Sequence, residues 1–157
     1  MRYLADSRKV ADHWYPKDLH KRAQIDQYLD WHHNFLRQGC AGYLYRKNMA
    51  PLLGKTYTTE ELDVFLQLTI RSIKQLEQWL TTNAYLCGSE ISIADLSASQ
   101  ELFQTIFMNL DLKPYPKVEA WLNKIMEGTQ EMKEVNAPVK KMAENFHKKQ
   151  ASQSPKL

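Results

Sequence analysis

The stretch LCGSEISIADLSASQ, Leu86–Gln100, places an aspartate, Asp95, in the middle of a mostly apolar run. Ser92 and Asp95 stand three residues apart before a helical pattern, which is the spacing of a capping box with Asp in place of Glu or Gln. In such a box the Ser92 hydroxyl accepts from the Asp95 N–H, and the Asp95 carboxylate accepts from the Ser92 N–H. A buried carboxylate without partners is very costly, so the pattern predicts a structural cap; a catalytic Asp is the alternative.

Helical periodicity extends on both sides of this stretch, because apolar residues recur at i, i+3 and i+4 along most of the chain. The predicted helices run from Lys17 to Gln38, from Thr58 to about Thr82, from Ser92 to about Asn109, from about Pro116 to Met126 and from about Asn136 to Gln150. The first can continue past Gly39 and Gly42 with a bend, reaching Met49. No segment shows convincing strand alternation, so the sequence predicts an all-α bundle of five to six helices.

The composition is that of one globular domain. The 157 residues are 43% hydrophobic and 25% charged, with no apolar run near the ~20 residues of a membrane span and no signal-peptide pattern. Cys40 and Cys87 lack metal-ligand spacing and indicate a reducing compartment. The net charge of +3 is too small to indicate a nucleic-acid partner. Five lysines against two glutamates in 133–149 indicate a solvated helix face, with an anion or membrane patch as the alternative.

No catalytic group or metal site can be identified from the residues alone. His32 and His33 are adjacent and point to different sides of a helix, so they cannot chelate one ion as an i, i+4 pair could. His32 falls on the apolar stripe, where a hydrogen-bonded core or pocket-edge histidine is expected. The first third of the chain is rich in Trp and Tyr, which either belong to the core or line an apolar cleft.

Three segments resemble one known family. YLADSRKVADHWYPKDLHKRAQIDQYLDWHHNFLR (3–37) is similar to the interdomain linker and first long helix of the C-terminal domain of theta-class glutathione S-transferases. Leu86–Leu96 resembles the capping-box motif of the family's central helix, and Tyr115–Trp121 resembles the helix after it. The central motif is shared by all such transferases, whereas the first segment is similar to the theta class.

The resemblance implies a role in detoxification: attack of the glutathione thiolate on an electrophilic carbon, such as that of an alkyl halide. It implies that Arg37 reaches into the substrate pocket near the glutathione sulfur, with His33 and Asn34 on the side that meets glutathione or a partner subunit. It further implies a cytoplasmic homodimer whose co-substrate is glutathione, with no other cofactor, no metal and no membrane or nucleic-acid partner.

The resemblance also implies a division of the chain. Residues 1–16 would be a remnant of the interdomain linker, 17–150 the helical transferase domain, and 151–157 a disordered tail. The family's catalytic Ser lies in a thioredoxin-like N-terminal half, and no Ser of this sequence matches it. We therefore expect this chain to supply the electrophile pocket and to be inactive alone. A non-catalytic protein-interaction module of the same superfamily is the competing hypothesis.

Overall fold

The computed structural model describes residues 1–153 and confirms an all-α fold. Its helices are α1 (Arg2–Ser7), α2 (Leu19–Asn34), α3 (Leu36–Leu44), α4 (Thr59–Thr82), α5 (Ile93–Phe103), α6 (Pro116–Met126) and α7 (Gln130–Gln153). Short 3₁₀ turns lie at Asp12–Trp14, Ala50–Leu53 and Gln104–Met108, and a π turn lies at Tyr45–Met49. Since α2 and α3 form one long bent helix, residues 1–153 contain six helices, in agreement with the prediction.

Helix α5 is the centre of the bundle. Ala94, Ala98 and Leu102, on successive turns, are fully buried. The helix packs against α2, α3 and α6, so neighbours surround it on several sides. A helix whose apolar residues cover nearly every face is stable only where other elements bury all of those faces. The prediction of a central helix is therefore confirmed.

The Asp95 side chain, with no exposed surface, links three parts of the chain. Its Oδ1 accepts hydrogen bonds from the Leu86 N–H at 2.9 Å and from the Trp121 Nε1–H at 3.0 Å. Its Oδ2 accepts from the Ser92 N–H at 3.0 Å and from the Ser92 hydroxyl at 3.2 Å. The reciprocal capping box is present, and the Ser92 hydroxyl also accepts from the Ala94 N–H at 3.2 Å. Burial raises the pKa of the Asp95 carboxyl, and its four donors oppose that rise.

The turn before α5 presents the Leu86 N–H to this carboxylate. Tyr85 and Gly88 exchange backbone hydrogen bonds of 3.0 and 3.3 Å across the turn. Gly88 has a φ of 148°, a backbone conformation that residues with a side chain rarely adopt. The turn geometry and the buried carboxylate therefore support each other.

Helix α6 is capped by a residue of another helix. Its first turn has no side-chain cap of its own, and Glu77 of α4 accepts hydrogen bonds from the Lys117 and Val118 N–H groups at 3.1 and 2.8 Å. A carboxylate at a helix N-terminus satisfies orphan donors and interacts favourably with the helix dipole. This contact fixes α6 against α4, with Trp121 on its buried face.

Two glycines allow α3 to approach α4 closely. A Cβ atom at Gly39 would lie 2.6 Å from the Thr69 backbone nitrogen, and one at Gly42 would lie 2.6 Å from the Phe65 ring. The sequence suggested that these glycines bend the helix, which is wrong. The helix breaks at Phe35, where φ is −123° and ψ is −75°. The two glycines lie within α3, and the neighbouring helix leaves no room for a side chain at either position.

The segment 1–16 folds against α2. The Arg2 Nε lies 2.6 Å from Asp26 Oδ1, and the Tyr15 hydroxyl donates to the same carboxylate. The Arg22 guanidinium donates to the Pro16 carbonyl at 2.7 Å and lies 4.3 Å from the centre of the Tyr15 ring. The HWYP signature therefore docks the N-terminal segment onto the helical domain.

The last helix differs from the prediction at both ends. It begins at Gln130 rather than near Asn136, because Thr129 supplies an N-terminal cap by accepting from the Met132 N–H at 3.2 Å. Pro138 consequently lies inside the helix. The helix also continues to Gln153, past the start of the predicted tail at residue 151. Residues 154–157 of that predicted tail lie outside the described residues.

The Asp95 network predicts a large loss of stability on truncation. Asp95→Ala should lower the free energy of unfolding by about 3 kcal/mol or more, because the Leu86 N–H, the Ser92 N–H and the Trp121 Nε1–H lose their acceptor in the core. Urea unfolding followed by circular dichroism measures this change. An unfolding free energy unchanged by the substitution would contradict the structural role of the carboxylate.

A conservative variant and a control sharpen the same test. Asp95→Asn should still cost about 1–3 kcal/mol, because an amide nitrogen cannot accept from the donors that face it. The exposed Asp63 accepts from the Gln67 side chain at 3.2 Å. We expect Asp63→Asn to change the unfolding free energy by less than about 0.5 kcal/mol.

Candidate functional site

An apolar groove of about 490 Å³ opens between the end of the long bent helix and α7. Its apolar lining consists of Leu44, Met49, Leu52, Phe107, Met142 and Phe146. Four polar residues, Asn48, Gln104, Asn145 and Lys149, complete the lining. An apolar cleft with a few polar groups at its edge is the usual form of a site for a small organic molecule.

Contacts between α7 and the 3₁₀ turn after α5 form one wall of the groove. The Phe107 and Phe146 rings meet edge to face, with centroids 5.9 Å apart. His147 Nε2 lies 2.8 Å from the Ile106 carbonyl oxygen, and since a carbonyl can only accept, the ring donates through Nε2. Nδ1 then accepts from the Asn109 amide at 3.3 Å. These contacts fix α7 beside the groove.

Arg37 and Glu101 form an ion pair between α3 and α5. Arg37 Nη1 lies 3.9 Å from Glu101 Oε2; the arginine side chain is 58% exposed and the glutamate side chain only 5%. Arg37 and Leu44 are seven residues apart on α3, which puts them on one helix face, and Gln104 follows Glu101 by three residues. The same two elements therefore carry the ion pair and part of the groove lining.

His32 lies behind the ion pair, in the core. It is 2% exposed, its Nε2 lies 3.9 Å from Glu101 Oε2, and its Nδ1 lies 3.3 Å from the Tyr28 hydroxyl. Burial, followed by the charges of His33 and Arg37, lowers the pKa of His32 to about 4. The imidazole is therefore neutral at neutral pH and does not balance the charge of Glu101. The expectation of a core or pocket-edge histidine is met by a core position.

The structure leaves His33 and Asn34 on the surface. His33 is exposed and stands four residues before Arg37, one turn away across the helix break. The Asn34 amide donates to the Asp30 carbonyl of its own helix at 2.9 Å. The structure thus brings Arg37 together with Glu101 and places neither His33 nor Asn34 at that ion pair. Their roles in substrate binding stay predictions.

Two features of the site were not identified from the sequence. Glu101 was missed, although a charged residue six positions after Asp95, on a helix apolar all round, is a signal that could have found it. The groove was missed because its walls come from three separate parts of the chain. Of the Trp and Tyr residues in the first third of the chain, Trp31 stacks on Phe35 with centroids 5.7 Å apart and meets Trp79 of α4 edge on at 4.8 Å.

Within residues 1–153 no three His, Cys, Asp or Glu side chains come close enough to hold a metal ion. None of the helices in this range combines the length and the hydropathy needed to cross a membrane.

Residues 46–128 match the family model described as the glutathione S-transferase, C-terminal domain. The chain belongs to this family.

Among curated relatives of this domain is glutathione S-transferase theta-1 of Gallus gallus. It is 37% identical over 129 residues, which cover 80% of this chain and 49% of the relative. Glutathione S-transferase T1 of Arabidopsis thaliana is 40% identical over 149 residues, which cover 89% of this chain and 61% of the relative. The chain thus spans about half to three fifths of these relatives.

Solved structures of human transferases show the same fold. The human theta-class enzyme in complex with the glutathione conjugate of 1-menaphthyl sulfate superposes with a TM-score of 0.83 at 27% identity, over 95% of this chain and 63% of that one. The apo form of human T1-1 superposes with a TM-score of 0.79 at 32% identity, over 92% and 62%. The resemblance to the C-terminal domain of theta-class transferases is confirmed.

Neither cysteine of this transferase domain has the properties of a nucleophile. Cys40 is buried beside Glu101, and burial, followed by that charge, raises the pKa of its thiol to about 12. Burial, followed by the charge of Asp95, raises the pKa of the Cys87 thiol to about 12 as well. Since the thiolate is the reactive species, both thiols are inert at neutral pH.

We expect the folded protein to resist thiol reagents. Near about pH 8 both cysteines should react with Ellman's reagent roughly a thousandfold more slowly than an ordinary thiol, because so little thiolate forms. The urea-unfolded chain is the control and should release two equivalents quickly. One fast equivalent from the native protein would show that Cys40 or Cys87 is activated after all.

Proposed function

We propose that this chain forms the electrophile-pocket half of a theta-class glutathione transferase, which conjugates glutathione to electrophiles such as alkyl halides. The observation that carries the proposal is the apolar groove beside α3 and α7, together with the Arg37 guanidinium on α3, two helical turns before the lining residue Leu44. A groove of this kind binds a carbon skeleton, and a cation can stabilise negative charge.

In the proposed reaction the glutathione thiolate attacks the electrophilic carbon. A sulfur–carbon bond forms, the carbon–halogen bond breaks, and the halide leaves with the bonding electrons, while the thiol proton passes to solvent. The apolar groove would hold the carbon skeleton and exclude water from it. The Arg37 guanidinium would stabilise the thiolate or the departing halide, with His33 and Asn34 facing glutathione or a partner subunit. A thioredoxin-like half would supply the Ser that activates the thiol.

The similar human structures support the part of the proposal that concerns glutathione, whereas the division between two halves comes from the family resemblance. One theta-class enzyme holds the glutathione conjugate of 1-menaphthyl sulfate, a ligand that joins an aromatic group to glutathione. A second, theta-2, was solved with glutathione and an unknown ligand, and superposes with a TM-score of 0.83 at 26% identity. Because both folds match nearly all of this chain, the same co-substrate is the simplest one to propose here.

The proposal extends to assembly, location and domain organisation. We propose a cytoplasmic homodimer in which 1–16 links the helical domain, 17–150, to a thioredoxin-like half, and which serves detoxification. Two free thiols agree with a reducing compartment. A net charge of +3 gives no support to a nucleic-acid partner.

The 157-residue chain alone should not conjugate glutathione. Thiol activation in the proposed reaction needs the Ser of the thioredoxin-like half, so glutathione should bind weakly and no turnover should exceed the uncatalysed rate. Spectrophotometric assay with an alkyl or arylmethyl halide tests this, and the same chain fused behind the thioredoxin-like half of Gallus gallus theta-1 is the positive control. Turnover by the chain alone would show that its own residues activate the thiol. A folded, dimeric fusion without turnover would favour the interaction-module hypothesis instead.

In the active fusion, Arg37→Ala should lower kcat/KM by at least ~10-fold, equivalent to about 1.4 kcal/mol of transition-state stabilisation. Because Arg37→Ala removes the cation paired with the buried Glu101, circular dichroism of the variant is measured to confirm that the kinetics refer to a folded protein. Arg71 on α4 is also exposed, and Arg71→Ala is the matched control that should leave the kinetics unchanged. Unchanged kinetics in Arg37→Ala would assign Arg37 to the solvated surface.

A further inference from the structure

Glu101 is a buried carboxylate with too few partners. Its side chain is 5% exposed, and α5 supplies mostly apolar or small neighbours. Within the described residues its Oε1 has no hydrogen-bond partner, and its Oε2 has only Arg37 and His32, each at 3.9 Å. Asp95 on the same helix, by contrast, accepts four hydrogen bonds. Two buried carboxylates six residues apart on one helix therefore differ in their hydrogen bonding: that of Asp95 is complete and that of Glu101 is not.

A purely structural role does not account for this arrangement. A buried charge with poor hydrogen bonding costs stability, and replacing it with a neutral residue of similar size is often neutral or stabilising. His32 cannot compensate, because its pKa of about 4 leaves it neutral at neutral pH. Among residues 1–153, Arg37 is the only cation within 4 Å of Glu101. Among these residues Arg37 is therefore the group that can form an ion pair with Glu101.

The reverse also holds. Among the described residues the structure gives the Arg37 guanidinium no hydrogen bond, only this ion pair. A guanidinium presents a planar fork of donors that can span both oxygens of one carboxylate. Oε1 of Glu101 is the acceptor that a second N–H group of Arg37 would need for such a pair.

We infer that Glu101 is a positioning residue: its buried carboxylate draws the Arg37 guanidinium toward the α3–α5 contact and so restricts the positions from which it meets an anionic sulfur or leaving group. The inference rests on the proposed role of Arg37. A flexible arginine on the surface loses conformational entropy when it becomes ordered for the reaction. An arginine that is already restrained by a buried carboxylate loses less. The fixed anchor is available because α5 is the central and most deeply packed helix.

The ion pair between Glu101 and Arg37 should depend on pH. Burial raises the pKa of Glu101 above its usual range, and the Arg37 charge opposes that rise. As the pH falls through this raised value the carboxylate takes up a proton and releases the guanidinium. The other titratable groups facing Glu101 are His32, Tyr28 and Cys40, and His33 lies next to them. Tyr28 and Cys40 do not titrate below neutral pH, since burial raises the pKa of both.

Nuclear magnetic resonance of the 157-residue chain tests the inference without any substrate. The exchange rate of the Arg37 Nε–H with water is measured from about pH 8 downward and is expressed as protection relative to free arginine, because the exchange of any guanidinium N–H slows as the pH falls. We expect protection of Arg37 at high pH that is lost on acidification. Glu101→Gln should raise the exchange rate about 2- to 5-fold and abolish its pH step, as expected for loss of a half-exposed ion pair. Glu101→Asp, which keeps the charge, should retain the step.

Three controls separate the possible causes. His33→Asn should leave the pH step in place, which excludes His33 as its origin. The Arg46 guanidinium donates to the Gly42 carbonyl and lies over the Phe65 ring, so its exchange should not respond to Glu101→Gln. The melting temperature should stay the same or rise in Glu101→Gln, because a buried charge has been removed.

Unchanged Arg37 exchange in Glu101→Gln, or a marked fall in melting temperature with that variant, would overturn the inference. If the proposed function is wrong, the kinetics of the Arg37→Ala fusion will show it. The exchange data test only the contact between Glu101 and Arg37. If the exchange data show that Glu101 holds Arg37 but Arg37→Ala leaves the kinetics unchanged, the proposed role of Arg37 in the reaction is refuted. The purpose assigned to Glu101 is then refuted as well.

Discussion

The structure depends first on one buried carboxylate. Asp95 accepts hydrogen bonds from the turn before α5, from the first residue of the capping box and from Trp121 of α6. A charged group in the core is costly unless its acceptor capacity is filled, and these donors come from three separate segments. Wherever this carboxylate is satisfied, the start of α5, the approach of the preceding turn and the position of α6 are fixed together.

The remaining architecture follows from the central position of α5. A helix buried on all sides requires its neighbours to pack closely, and α3 meets α4 at Gly39 and Gly42, where side chains would collide with Thr69 and Phe65. Glu77 fixes α6 from α4 by capping its first turn. The groove then forms where the 3₁₀ turn after α5 and the end of the bent helix face α7, and the Phe107 and Phe146 rings line it.

The same central helix carries two carboxylates with opposite consequences. The acceptor capacity of Asp95 is filled, so Asp95 links the turn before α5, the start of α5 and α6. That of Glu101 is only partly used, so it retains the ability to interact with a group at the surface, and Arg37 is the cation in reach. Natural proteins keep such incompletely satisfied groups chiefly where function needs them. This is the physical reason to look for function at the α3–α5 contact rather than at the capping box, although both lie on one helix.

The sequence by itself determined the helical class, most helix positions, the capping boxes and the family resemblance, because these depend on residue spacing within one segment or on short motifs. It placed Arg37 in the candidate site by resemblance, and it placed the last helix wrongly because a proline close to a helix start is indistinguishable by pattern from one inside a longer helix. Only the tertiary structure decided the bend at Phe35, the purpose of the two glycines, the groove and the Arg37–Glu101 pair. Each of these depends on which residues of distant segments come within contact distance, and that follows from how the helices pack around α5 rather than from any local pattern.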